Sequence, residues 1–431
     1  MRGRTNITGG GMNLNATVDE FTVVDGQSVT SGDFVEFETV VSEKTLTSLK
    51  LSTKAHSKVT EDLCVVLHNN ILYLISSGYN GLEIVDSYSD MLVRDYEILP
   101  DKSIVIGVQE EPFIIRLKIT NEKFQYVCGA TGIPSGEILS TDLNYLLVNG
   151  EKLYMFNIRT NVIDSSHYTY YFSIYTFDVS VSSRVSYISG NFDETIYEGL
   201  QRSSKSNFWK PVFVGENIYL LSEKASSKKF LNFQIIGGSL NIISNESVVA
   251  GTDVPLICFF DKYILSLSTY VLYIYNTSTG VSTQYTLLNY GFNINYSDSP
   301  YSEISEISEG RFAIFFYGGS SQKTYYQNGV FKLSESTGTL ELESNIFNPS
   351  FSSFSKSRIG IIFLNGIIND LMYVDNVTKS YAIEYNQGAG LLYDKTKEGF
   401  VKPYSGGIAI GVAKQSGKSG QKIEAYVPTP V

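Results

Sequence analysis

Cysteine, histidine, proline and tryptophan are scarce in this chain of 431 residues: three Cys, three His, ten Pro and one Trp. Each scarcity excludes something. Cys64, Cys128 and Cys258 are odd in number, far apart, and each in or beside an apolar run, which argues against a disulfide framework and predicts buried free thiols. His56, His68 and His167 are equally dispersed, so the close Cys/His pairs of a zinc site are missing and no metal or cofactor is expected. Few prolines and no Pro/Gly-rich linkers argue against a string of separate sandwiches. Basic charge is short as well: 33 Lys+Arg face 44 Asp+Glu, a net charge of −11. A nucleic-acid binder needs a basic footprint to displace counterions from phosphate, so nucleic acid is not an expected partner. No run of about eighteen apolar residues is present to span a bilayer. The start, MRGRTNITGGGMN, has Arg2 and Arg4 but no apolar segment behind them, so no signal peptide is expected and synthesis is expected in the cytoplasm.

Catalytic signatures are missing too. No G-x-S-x-G elbow, P-loop, H-E-x-x-H or G-x-G-x-x-G fingerprint in a strand-to-helix setting occurs, and the expectation is a protein that is not an enzyme. Paired carboxylates would suit glycan hydrolysis, and Asp193 with Glu194, Glu303 with Glu306 and Glu309, and Glu110 with Glu111 are the candidates. Each is better read as a solvated turn. Asp86, Asp90 and Asp95 lack the ligand spacing of a calcium loop.

Aromatic and β-branched residues are plentiful, with 31 Tyr and 25 Phe, and long amphipathic helical segments are absent. Such residues suit a pleated, half-buried surface, so the fold class is all-β. From about Leu46 one theme recurs: an apolar strand, a turn of Asn, Asp or Gly, then a second strand rich in Tyr and Ile. Its clearest instances are LCVVLHNNILYLISS (63–77), SIVIGVQEEPFIIRLKIT (103–120) and YLLVNGEKLYMFNIRTN (145–161), followed by 211–235, 255–280, 309–338 and 357–380. Seven units at roughly 50 residues each match the four-stranded blades of a β-propeller. Residues 162–210 are then an elaborated blade or an eighth one. A β-helix would show shorter rungs with stacked identical positions, and that register is missing.

Both chain ends differ from this middle. Residues 1–15 are polar and glycine-rich and read as a flexible arm. Residues 16–45 carry two alternating strands, Thr17 to Val24 and Phe34 to Val41. After a glycine-rich, charged transition, residues 396–431 supply an apolar strand, a Gly/Ser turn and an alternating strand. Neither end buries a core alone. The economical reading joins them into one small β-barrel or sandwich, with the propeller, 46–395, inserted between.

The end segments also resemble a family. Thr30, Gly32, Asp33 and Val35, in a T-x-G-D-x-V pattern, and Gly407, Ala409, Gly411, Val412, Ala413, Gly420, Ile423 and Val427 near the other end are similar to small bacteriophage capsid decoration proteins. The resemblance covers the two ends only. It implies a virion structural protein made in the host bacterium's cytoplasm and carried on the virion surface, touching the major capsid protein and copies of itself. It also implies capsid attachment through Gly32, Asp33, Val35, Gly411, Val412, Ala413, Ile423 and Val427. The alternative expectation is a tail receptor-binding protein that recognises host-surface glycan, and a third is a glycan hydrolase on a propeller scaffold. For glycan adhesion the candidates are exposed aromatics that stack on sugar rings: Tyr171 and Tyr175, alternating on one strand face, and Tyr290, Tyr296 and Tyr301 in an Asn/Ser-rich region.

Overall fold

A computed structural model describes residues 5–9, 12–23, 28–32, 34–37, 41–47, 56–78, 81–134, 143–164, 167–190, 195–197, 207–224, 227–251, 256–268, 270–292, 301–320, 323–343, 357–364, 367–374, 377–383, 399–403, 411–413, 415–418 and 422–428. The chain divides into two compact units, Lys44–Ser380 and the two ends together, Met1–Glu43 with Tyr381–Val431.

The first unit is a β-propeller whose described strands form seven blades, blades 2 and 3 being joined into one nine-stranded sheet. Blade 1 runs His56–Lys58, Leu63–His68, Ile71–Gly78 and Gly81–Tyr88, each strand antiparallel to the next. Blade 2 starts at Val93–Ile98, blade 3 at Leu143–Asn149, blade 4 at Val212–Val214, blade 5 at Ile257–Phe259 and blade 6 at Tyr301–Ser308. Blade 7 has Ser357–Leu364, Ile367–Val374 and Val377–Ile383, and its fourth strand, Val41–Thr47, comes from before blade 1. Residues 41–45 of that strand are placed with the terminal domain from sequence; the strand instead closes the ring. Residues 162–210 add to blade 3: Lys152–Asp164 and His167–Asp178 form a long hairpin, with Val185–Gly190 and Thr195–Tyr197 on the latter. The outer strands of blades 2 and 3 also meet in parallel, Ala130 opposite Val185.

The reason for the apolar runs is visible strand by strand. Successive residues of a strand point to opposite faces, and when both faces are covered the strand reads as continuously apolar. In blade 1, Leu72 and Leu74 pack against Ile104 and Ile106 of blade 2, while Tyr73 and Ile75 pack against Ile362 and Leu364 of blade 7. In blade 3, Leu153 and Met155 face blade 2, whereas Phe156 and Ile158 face Leu220 and Phe233 of blade 4. Blades 4 and 5 share Tyr219, Phe230 and Ile264, and blades 5 and 6 share Phe259, Phe312 and Phe331. The first strands of blades 6 and 7 lie side by side, completing the circle. Turns follow the same logic. Asn69 and Asn70 both take positive φ, 50° and 62°, the conformation a tight hairpin demands and Asn tolerates.

The second unit is a closed ring of strands drawn from both ends: Met12–Val23, Gly399–Pro403, Phe34–Phe37, Gly411–Ala413 and Lys422–Pro428, the last returning to pair with the first. Residues 1–15, read from composition as an arm, instead carry Thr5–Gly9 paired with Met12–Val23, from Thr5 opposite Ala16 to Gly9 opposite Met12. Backbone pairing satisfies a polar, glycine-rich segment that has too little apolar area to fold alone.

Candidate functional site

Of the residues that carry the family resemblance, Val35, Gly411, Val412, Ala413, Ile423 and Val427 meet in the ring of the second unit. Val35 lies opposite Gly411 and Phe34 opposite Val412, while Ala413 faces Ala425 on the next strand. Ile423 and Val427 lie opposite Phe21 and Thr17. Gly32 sits exposed in a turn at φ 94°, a conformation that favours glycine, and the neighbouring Ser31 N–H donates to Ser416 Oγ at 2.9 Å. Short pairing of Ser28–Val29 with Gly417–Lys418 ties the two turn regions further. Asp33, Gly407, Ala409 and Gly420 lie outside the described residues.

The aromatic candidates are more dispersed. Tyr175 is buried, 4% exposed, in the layer between blades 2 and 3, so its ring is core and not a sugar platform. Tyr171 on the same strand is half-buried with the Arg159 guanidinium 5.4 Å from its ring centroid. The opposite face of that strand, Tyr170 and Phe172, fills the layer towards blade 4. Tyr290, in the 3-10 turn Leu287–Tyr290, stands edge-on to Phe331 and donates to the Leu340 carbonyl at 3.4 Å. Tyr301 opens the first strand of blade 6 opposite Tyr317. Tyr296, Asp193 and Glu194 lie outside the described residues.

Sequence reasoning overlooked the axis of the propeller. The first strands of all seven blades line a cavity of about 1150 Å³. On one part of its wall the Lys210 ammonium, just before blade 4, donates to Asp95 Oδ1 at 3.0 Å and the Tyr96 carbonyl at 3.0 Å, and pairs with Glu97 Oε1 at 2.8 Å. Three donors are therefore used by one strand of blade 2. Asp95 Oδ2 also accepts the Leu146 N–H of blade 3 at 2.7 Å, so this cluster pins three blades together. A register shift between Val93 and Asp95 sets the aspartate in place, as bulges do when they re-aim a side chain.

Burial works against the charge of both Lys210 and Glu97, and the balance with their partners falls differently for the two. Burial alone would lower the Lys210 pKa, but Asp95 and Glu97 outweigh it and raise the pKa well above the ordinary lysine range. For Glu97 burial dominates over Lys210 and lifts the carboxyl above its usual value. Burial, then the charge of Asp95, pushes the Tyr145 phenol up to about 12. Further round the wall, His56 of blade 1 shares a hydrogen bond with Ser305 Oγ of blade 6 at 3.0 Å, and its Nδ1 stands 3.9 Å from Glu303 Oε1. Glu303 itself is buried, 1% exposed. The cavity also touches Cys64 and Cys258, whose thiols burial raises, Cys258 to about 12, so neither offers a thiolate near neutral pH.

Of the carboxylates singled out from sequence, Glu303 and Glu306 reach this wall, while Glu309 accepts the Phe260 N–H at 2.5 Å in a structural turn. Among the described residues no group of His, Cys, Asp or Glu is arranged to hold a metal ion, and no helix is long and apolar enough to cross a membrane. The overlooked signal was a pair of carboxylates at alternate positions, Asp95 and Glu97, inside a strand whose other residues include Val93, Tyr96 and Ile98.

No family model matches the chain, and no curated protein matches it. Solved structures with a similar course exist. The extracellular domain of a putative one-component system from B. thetaiotaomicron is 8% identical, with 84% of this chain and 44% of that one covered and a TM-score of 0.43. This chain thus spans less than half of that protein's solved length. A catalytically inactive virginiamycin B lyase from Staphylococcus aureus with quinupristin is 13% identical over 80% of this chain and 100% of that one, at a TM-score of 0.41. YCF48 bound to D1 peptide is 9% identical over 82% and 100%, at 0.42. At such scores these likenesses assign no chemistry to this chain.

Proposed function

We propose that this chain is a non-enzymatic structural protein of a bacteriophage virion, a capsid decoration protein whose terminal barrel attaches to the major capsid protein and whose propeller is the displayed part, serving adhesion to host-surface glycan. The observation that supports this reading is the direct pairing of the two resemblance-bearing segments, Val35 opposite Gly411 and Phe34 opposite Val412, in one small ring of strands. Segments that far apart in the chain form a single surface only in the folded unit, as an attachment site made from both ends requires.

The test is immunogold labelling of intact particles with an antibody raised against residues 46–395, viewed by electron microscopy. Label over the head, and its loss when residues 407–431 are deleted, is the expected outcome. Label confined to the tail tip overturns decoration in favour of a tail receptor-binding protein. Reducing-sugar release from host envelope would overturn the non-enzymatic part.

A further inference from the structure

We propose that the axial cavity of the propeller is a binding site for a neutral, polyhydroxylated ligand of the size of a mono- or disaccharide. The site deepens the adhesion part of the reading above for its biological meaning, although its chemistry stands on the cavity alone.

Three observations carry it. The first is space: about 1150 Å³ slightly exceeds the usual small-molecule pocket, which runs to about 1,000 Å³, so a mono- or disaccharide fits with room for water. The second is the kind of wall. A channel that only had to pack would be lined with apolar side chains, because every buried ion needs a partner to offset its desolvation. Here Asp95 and Glu303 are buried and Lys58, Glu97 and Lys210 half-buried beside apolar patches such as Leu147, Val212 and Ile304, with the more exposed Glu61, Arg94, Lys102 and Glu306 completing four basic and five acidic side chains. The third is order: the polar groups are held before any ligand arrives. Lys210 locks Asp95 and Glu97, the Leu146 N–H fixes Asp95, and Ser305 fixes the His56 ring.

The same observations select the ligand's chemistry. Formal charges on the wall come within one of cancelling, so neither an anion nor a cation gains from the cavity as a whole. A phosphate would seek Lys210, but the ammonium's three donors already serve Asp95, Glu97 and the Tyr96 carbonyl. A divalent ion needs ligands that converge, and among the described residues none do. Hydroxyl groups fit both halves of the wall, donating to the Glu97 carboxylate and accepting from Lys58 or Arg94, while the C–H faces of a sugar ring lie on the apolar patches. Glu97 and Lys210 keep about a quarter of their side-chain surface exposed, 27% and 29%, enough for a ligand to reach them. Glu303, buried behind His56, is a positioning residue.

The experiment is titration of the full chain, by calorimetry and by saturation-transfer NMR, with glucose, galactose, N-acetylglucosamine and lactose, and with spermidine and inorganic phosphate as charged probes. Saturable binding of at least one sugar is expected, weakened about tenfold in Glu97→Gln, the scale of losing one hydrogen bond to a charged group. His56→Gln serves as a second channel variant should the first lower stability, and Tyr126→Ala, on the outside at 63% exposure, should leave binding unchanged. The proposal is overturned by no sugar binding, by binding only of spermidine or phosphate, or by sugar binding that both channel variants retain in folded form. Sugar binding without head labelling would sink the virion reading alone, and head labelling without sugar binding would sink this one alone.

Discussion

In the propeller a strand's partner is nearly always the next strand in the chain: Leu63–His68 pairs with Ile71–Gly78, and Asn217–Lys224 with Ser227–Ile236. In the unit made by the chain ends, Thr17 lies opposite Val427 and Val35 opposite Gly411. Hairpin pairing closes short loops and is rewarded at once, whereas pairing across the chain waits until everything between is compact. Blade 7 combines both habits, with three consecutive strands and a fourth, Val41–Thr47, taken from near the start. A ring of locally built blades thus ends in one non-local pairing, which is how a propeller of consecutive hairpins avoids an open end.

The contrast is most severely tested by removing 411–431. This deletes two of the five strands that close the terminal ring and none from any blade. Scanning calorimetry should show two transitions for the full chain and only the propeller's for the truncated one; loss of both would mean that the units do not fold separately. A smaller effect, confined to the propeller, is expected of Phe233→Ala. That ring is fully buried and lies 5.3 Å from Phe156 and 5.2 Å from Phe172 at the interface of blades 3 and 4, so truncation should cost about 3–5 kcal/mol. Denaturant titration should record the loss in the propeller transition and none in the terminal ring.

The smallest expected effect concerns the ion cluster on the axis. Lys210 has its folded pKa raised, so its stabilisation is complete below the ordinary lysine value and disappears as pH rises through the higher folded one. Lys210→Met should abolish that alkaline loss. It also leaves Glu97 without its cation, and a carboxyl with a raised folded pKa loses stability as pH climbs from its unfolded value, near 4. The variant should therefore be about 1–3 kcal/mol less stable than the parent at pH 7, with the deficit shrinking towards pH 4, as followed by urea unfolding at each pH. A deficit that stays constant with pH would show that Lys210 contributes packing and not charge.

Seven units were legible in the sequence because each blade is a local object. An apolar strand, an Asn or Gly turn and a second apolar strand are written contiguously, and strands buried on both faces leave no alternation to confuse them with surface strands. Aromatic function was not legible. Tyr175 reads the same whether its face meets solvent or blade 2, and only the neighbouring sheet made it core. The end segments stand between these cases: their motifs are visible in the chain, but that Val35 faces Gly411 is a matter of pairing.

By itself, the sequence determined an all-β chain, the turn positions and seven blade-like units, since those follow from the period of side chains and the φ that Asn and Gly permit; that residues 162–210 elaborate blade 3 and do not form an eighth blade was decided by pairing. Only the tertiary structure decided that Val41–Thr47 completes blade 7, and that His56, Asp95, Glu97, Lys210 and Glu303 share one cavity. These five residues come from four blades or their leading turns. No local rule relates them, because only closure of the ring brings the first strand of every blade to a common axis.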